Sequence, residues 1–441
     1  MNETNNEPGL PARLAAQRLV TSVLGKGRAL DEAFAEETAQ GALRDAAAAD
    51  KGFARAIAAT TLRHLGEIDT ILSRLVEKPL PKRAGPTQII LRTAIAEILF
   101  LGVAPHAAVD LAVEAAATDR DARHFKALVN AALRRLTREG DALREGIDAE
   151  RASLPDWLWK SWTKSYGEEN TRAIVRAQWH EAPLDLSVKV EAERAHWAEK
   201  LGAKLMPTGS LRLENTGRVE ALPGFDEGAW WVQDLAAALP ARLLGDVKGR
   251  EVLDLCAAPG GKTLQLASMG AKVTAVDRSA QRLERLSRNL ERTGLEARIV
   301  IDDAARCAPG RTWDFILLDA PCTATGTARR HPDVLRLKTH PDRDRLSALQ
   351  TRILDNTAKL LAPGGTLVYC TCSLERQEGP DQIERFLFRH GNFARRPIEA
   401  AEVGGLAELV TPEGDLRTLP CHLGDEGGMD GFYASRLIRR A

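Results

Sequence analysis

EVLDLCAAPGGKTLQLA, Glu251–Ala267, reads as an apolar strand, a glycine turn and the opening of a helix. Its Gly261-Lys262-Thr263 ending would suit a triphosphate-binding loop only if glycine stood five positions before Gly261. Cys256 stands there, so the phosphate reading is disfavoured and the rest of the chain must name the ligand.

Working outward, "KVTAVD", "ARIVIDD", "FILLDAP" and "TLVYCTCS" are further short β-rich runs, separated by helical stretches such as "QRLERLSRNLERTG". Apolar runs alternating with helices predict a mostly parallel sheet covered on both faces, with ligands at the carboxyl ends of the strands. The first strand end carries the turn Cys256-Ala257-Ala258-Pro259-Gly260-Gly261-Lys262, where glycine permits close approach of backbone to a ligand. The second ends in Asp277, suited to accept from a ribose diol, and the third near Asp302 and Asp303, either able to accept from an adenine amino group. This ordered set describes a nucleoside ligand. The spaced G-x-G-x-x-G of dinucleotide sites is absent, so S-adenosylmethionine and methyl transfer are the expected cofactor and chemistry.

The fourth and fifth strands end in "LLDAPCTATG" and "LVYCTCS", which bring Cys322 and Cys372 to neighbouring strand ends. Cys307, Cys421 and Cys256 are adequately read as small hydrophobes, and the Cys370/Cys372 pair lacks further ligands for a metal. Two strand-end thiols suit cytosine, whose carbon 5 becomes nucleophilic once a thiolate adds to carbon 6. An unperturbed thiol is only roughly 3% ionised at neutral pH, so the site must lower that barrier or supply a base. Asp319, if protonated, could bond ring nitrogen 3 and favour the addition. Enzymes that methylate exocyclic amines commonly carry D/N-P-P-Y/F here; Asp319-Ala320-Pro321-Cys322 disfavours that reaction.

Residues up to about Leu143 predict helices throughout. Leu91, Ala94, Ile95, Ile98 and Leu99 form one apolar stripe; Phe125, Leu128, Val129, Ala132, Leu133 and Leu136 form another, with Arg134, Arg135 and Arg138 beside the opposite, solvated face. From Gly140 to about Pro183 the periodicity loosens around Trp157, Trp159, Trp162 and Trp179, read as an interdomain core ahead of a base-stacking surface. "LDLSVKV", "HWAEKLGAKL" and "LRLENTG" predict a small α+β segment. The expected domains are 1–143, a helical bundle; 144–232, the connecting α+β segment; and 233–441, a Rossmann-like α/β methyltransferase domain.

The chain has 441 residues, with 61 basic and 61 acidic side chains, so bulk charge neither demands nor excludes a nucleic-acid partner. The most apolar long stretch, "IILRTAIAEILFLGVA", contains Arg92 and Glu97, each costing roughly 2.5–3.5 kcal/mol in a bilayer core. No membrane span is expected. The polar opening "MNETNNEPGL" shows no export signal, and six sparse cysteines fit reduced thiols in a cytoplasmic protein.

"LDLCAAPGGKT", "LLDAPCTATG", "VYCTCS" and the closing "DGFYASRL" resemble the RNA 5-methylcytosine methyltransferase family that includes nucleolar relatives. "AQRLVTSVL" and "FKALVNAALRRL" are similar to a NusB-like RNA-binding domain; with "ARRHPDVLRL", that fusion resembles the family's bacterial 16S ribosomal RNA branch. The resemblance implies that Cys372 attacks carbon 6 and Cys322 assists release. It also implies that Cys256 through Lys262, Asp277, Asp303 and Asp319 contact S-adenosylmethionine, with Lys262 meeting the base or the acid near it. RNA, foremost 16S rRNA, is the implied partner of a monomer, without membrane or metal; tRNA substrates and a non-catalytic assembly factor are the alternatives. Where the family often has an arginine-x-asparagine strand, this chain has Ser187 and Lys189 in "DLSVKV". Residues Ala328–Arg345, with six basic against three acidic side chains, are therefore the expected phosphate-contacting segment.

Overall fold

In the computed structural model, which describes residues 9–214, 217–308 and 310–440, the chain separates into two units. One holds residues up to His180 together with Arg330–Thr339; the other holds Glu181–Arg329 and the chain from His340 onward. Most of the opening decapeptide, and part of "LRLENTG", lie outside the described residues.

The first unit is helical. It comprises α1 (Leu10–Lys26), α2 (Leu30–Ala39), α3 (Ala48–Arg63), α4 (Leu65–Leu75), α5 (Thr87–Phe100), α6 (Pro105–Thr118) and α7 (Lys126–Arg144). The two apolar stripes meet in one core: Leu91, Ala94 and Ile95 of α5 pack with Val129, Leu133 and Leu136 of α7. The region expected to loosen instead continues as α8 (Ala149–Ser153), α9 (Asp156–Tyr166) and α10 (Glu168–Gln178). Its tryptophans serve this helical unit. Trp162 is buried, Trp179 donates to Ser153 Oγ at 3.1 Å, and Trp159 lies between the guanidinium groups of Arg151 and Arg172.

The second unit begins with β1 (Leu184–Val188), α11 (Arg194–Leu201), β2 (Lys204–Leu205), β3 (Leu211–Leu213) and β4 (Trp230–Val232), whose strands form an antiparallel sheet in the order β2-β3-β1-β4. After the short α12 (Leu239–Arg242) comes the alternating part: β5 (Glu251–Leu255), α13 (Gly261–Ser268), β6 (Lys272–Asp277), α14 (Ala280–Thr293), β7 (Ala297–Ile301) and β8 (Trp313–Asp319). Residues 330–339, including α15 (Val334–Leu337), then belong to the helical unit. The second unit resumes with α16 (His340–Leu360), β9 (Leu361–Thr371), α17 (Pro380–Arg389), β10 (Phe393–Arg395), β11 (Leu416–Arg417) and β12 (Tyr433–Arg439).

The large sheet runs β10-β12-β9-β8-β5-β6-β7, with β11 on β12. Strands β9, β8, β5, β6 and β7 are parallel, and β12 enters antiparallel beside β9. Alternate residues feed two cores: Val252, Leu317 and Val368 face one, Leu253, Ile316 and Leu367 the other. Burial on both faces explains why these strands read as unbroken apolar runs.

A buried ion pair fastens the small sheet within its unit. Arg212 of β3 grips Asp185 of β1 through two bonds of 2.7 and 2.8 Å, with side chains 2% and 0% exposed, and also donates to the carbonyls of Glu426 and Gly428. Asp185→Ala leaves that guanidinium buried without its carboxylate and is expected to cost about 3–5 kcal/mol, read as a lowered midpoint in denaturant unfolding.

Candidate active site

The turn after β5 owes its shape to backbone that ordinary residues avoid. Cys256 has φ 62°, the Ala258-Pro259 peptide is cis, and Gly260 has φ 111° before α13 begins. A Cβ on Gly260 would lie 2.4 Å from Leu286 Cδ1 of α14, so glycine is required by both torsion and space. Asp277 braces the turn from the next strand end: its carboxylate accepts from Ala258 N at 3.1 Å and Ser279 N at 2.9 Å.

Beside this turn lies a cavity of about 370 Å³. Cys256, Asp277, Asp302 and Asp303, from the first three strand ends, line one part of it. Pro321, directly before Cys322, and a face of α16 line the rest. Arg345, Leu349, Arg352 and Ile353 form that face, and Arg278 and Arg282 reach it from the start of α14. The sequence reading missed the α16 contribution, although the spacing of these four residues marks one helix face.

Lys262 does not line this cavity. Its ammonium group lies 2.9 Å from Asp319 Oδ2 and 4.9 Å from the centre of the Phe432 ring. Burial opposes the Lys262 charge, but Asp319 and the nearby Cys370 and Cys372 sulfurs outweigh it and hold its pKa above the usual value. The Lys262 ammonium group is thus held beside Asp319, the residue considered from the sequence as a partner of the base. Beneath them, burial raises the Asp254 pKa to about 7 while the Thr263 hydroxyl, donating at 2.6 Å, opposes the shift.

The two strand-end cysteines meet. Cys322 Sγ lies 3.5 Å from Cys372 Sγ, and both side chains are partly accessible. The bond to Cys372, burial, and the charges of Cys372 and Glu378 push the Cys322 thiol well above its usual pKa. Burial also raises the pKa of Cys256 and Cys370, the latter 3.5 Å from Asp319 Oδ1. Among the described residues, no group of three or more His, Cys, Asp or Glu side chains is arranged to hold a metal, and no helix is long and apolar enough to cross a membrane.

Several side chains of the segment expected to touch phosphates are engaged within their own units. Arg329 is 1% exposed, pairs with Asp234 and Asp430 and donates to Gly427 O. His331 pairs with Asp31 at 3.3 Å, and Asp333 accepts from Leu30 N at 3.0 Å. Arg336 donates to Ser153 O at 2.8 Å, and burial lowers its pKa to about 10. Arg343 is held by His340 and Asp344, and Arg345 lines the cavity. The departures from the family strand are internal as well: Ser187 donates to Gln233 Oε1 at 2.8 Å and Lys189 to Thr293 O at 2.9 Å.

Residues 241–438 match the family 16S rRNA methyltransferase RsmB/F, and residues 10–138 the NusB family. Ribosomal RNA small subunit methyltransferase B of Pasteurella multocida is 36% identical over 392 residues, covering 84% of each chain. The chain belongs to this methyltransferase family. A structure titled PH0851 shares the fold over 98% of both chains, with TM-score 0.75 and 23% identity. The structure of NSun6 from Pyrococcus horikoshii with SFG covers 65% of this chain and 98% of its own, with TM-score 0.56 and 19% identity.

The cofactor of this RsmB/F-family methyltransferase is S-adenosylmethionine, which supplies an electrophilic methyl group. The cavity suits it: acids at three strand ends can accept from hydroxyl and amino groups, Pro321, Leu349 and Ile353 offer apolar surface to a ring, and the volume is in the ordinary range for small-molecule sites. Gly260→Ala should destabilise the second unit by about 1–3 kcal/mol through the strained torsion alone, with the Leu286 contact adding to it, seen as an earlier thermal or denaturant transition.

Proposed function

We propose that this enzyme methylates carbon 5 of a cytosine in 16S rRNA through a covalent bond to Cys372, with Cys322 assisting release. The observation that carries this reading is the 3.5 Å contact between the two strand-end sulfurs. The family relationship supports the ribosomal substrate, since the Pasteurella relative bears that substrate in its name.

In this mechanism the Cys372 sulfur forms a bond to carbon 6, and the carbon 5–carbon 6 π electrons shift so that carbon 5 becomes an enamine nucleophile while nitrogen 3 takes up a proton. The Lys262–Asp319 pair, one proton on two hydrogen-bonded groups, meets that edge of the base. Carbon 5 takes the methyl group. A base then removes the carbon 5 proton, the carbon–sulfur bond breaks with its electrons returning to Cys372, and nitrogen 3 gives back the proton it took up. Cys322, in contact with the departing sulfur, assists this last stage. Cys256 through Lys262 shape the cofactor side, with Asp277 and Asp303 as acceptors for the ribose and the adenine amino group and Asp319 next to the transferred carbon.

Incubation with labelled S-adenosylmethionine and undermodified ribosomal RNA, followed by nucleoside analysis, should yield labelled 5-methylcytosine; label in another nucleoside would refute the assignment. Cys372→Ala should lower turnover by ~10³-fold or more while cofactor binding persists. Cys322→Ala should accumulate a covalent protein–RNA species on denaturing gels, and a gel without that slow band would remove Cys322 from the release step.

A further inference from the structure

Glu378 is completely buried in the short helical turn Arg376–Glu378 that follows β9 and the Cys372 loop. Its carboxylate is the meeting point of both cysteine loops. From the Cys322 loop it accepts the Thr323 N–H, at 3.0 Å to Oε1 and 3.2 Å to Oε2, and the Thr323 hydroxyl. From the other loop it accepts the Ser373 hydroxyl at 2.6 Å. Gln350 of α16 donates to Oε1 at 3.1 Å and, through the same amide nitrogen, to Pro321 O at 2.9 Å.

One carboxylate therefore ties down the residue that follows each thiol, and its Gln350 partner ties down the residue that precedes Cys322. Thr323 and Ser373 lie far apart in the chain; their hydroxyls meet each other at 3.1 Å and Glu378 accepts from both, so without this acceptor the buried Thr323 N–H would lose its hydrogen bond and the hydroxyl pair its common partner. The loops are also linked by the Thr323–Ser373 hydroxyl contact, and by Gly326 N to Cys372 O and Leu374 N to the Thr325 hydroxyl, the last two each 3.0 Å. A carboxylate that merely filled the core would not need donors from both loops.

We propose that Glu378 is the positioning residue of the two-thiol centre, holding Cys322 and Cys372 at the separation that lets one sulfur attack and the other assist. This rests on the cysteine mechanism proposed above. Glu378 is fully buried and does not line the cavity beside the glycine turn; it acts through Thr323 and Ser373. Its negative charge also adds to the forces that keep the Cys322 proton in place.

The test compares the full-length wild type with Glu378→Gln and Glu378→Ala in two measurements. The first needs no RNA: diamide takes two electrons and two protons from a pair of thiols, and peptide mass spectrometry follows the rate at which Cys322 and Cys372 become linked. Linking should slow roughly tenfold or more in Glu378→Ala and be partly restored in Glu378→Gln, which keeps one acceptor oxygen. The second is methyl transfer: kcat should fall roughly 100-fold in Glu378→Ala, the scale of a reacting group displaced by about 1 Å, with KM for S-adenosylmethionine within about twofold and partial rescue by glutamine. Wild-type linking and kcat in either folded variant would overturn the proposal; if Glu378→Ala does not fold, Glu378→Gln decides it by the same two readings. If the wild type forms no 5-methylcytosine, the mechanism fails, while the linking rates still report whether Glu378 sets the sulfur pair.

Discussion

Parallel pairing of β8 with β9 is the constraint on which the active centre depends. The register sets Asp319 opposite Cys370, so the loops that leave the two strands start side by side at the carboxyl edge of the sheet. Parallel strands place equivalent ends together and leave their connections to long crossovers. Cys322 and Cys372 consequently meet at 3.5 Å although a long helix and a visit to the other unit separate them in the chain. Had the strands run antiparallel, one sulfur would have emerged at the far edge.

Around that contact the buried charges are assigned by their neighbours. Lys262 is held above its usual pKa because Asp319 and nearby sulfurs outweigh its burial, and the contact with Cys372 together with burial raises that of Cys322. Glu378, on the protein side, joins the two loops through donors from each. The cavity beside the glycine turn is lined by other strand ends and by α16, with Pro321 shared between its wall and the Cys322 loop.

Much of this was legible in the chain. The strands from "EVLDLC" to "TLVYCTCS" and the two apolar stripes of the helical unit were predictable, because periodicity and strand-end acids report local burial and hydrogen bonding. The tryptophan-rich region was not. Its helices α8–α10 are held by cation–π stacks of Arg151 and Arg172 on Trp159, and these depend on side chains from separate helices. The basic count of Ala328–Arg345 did not separate its internally paired side chains from its exposed ones. A composition cannot tell a solvated arginine from one paired with Asp234 and Asp430, and residues 330–339 pack within the helical unit.

The sequence by itself determined the α/β succession, the glycine turn with Cys256 where a phosphate loop would need glycine, the acids after each strand, and the presence of two strand-end thiols. All are consequences of neighbours along the chain, and the family motifs are short for that reason. Tertiary structure alone decided that the sulfurs touch, that Lys262 takes Asp319 for its partner, that α16 supplies a wall of the cofactor cavity, and that Glu378 serves both loops. Each of these joins groups remote in sequence through a separation of a few ångströms, and only the folded sheet sets that separation.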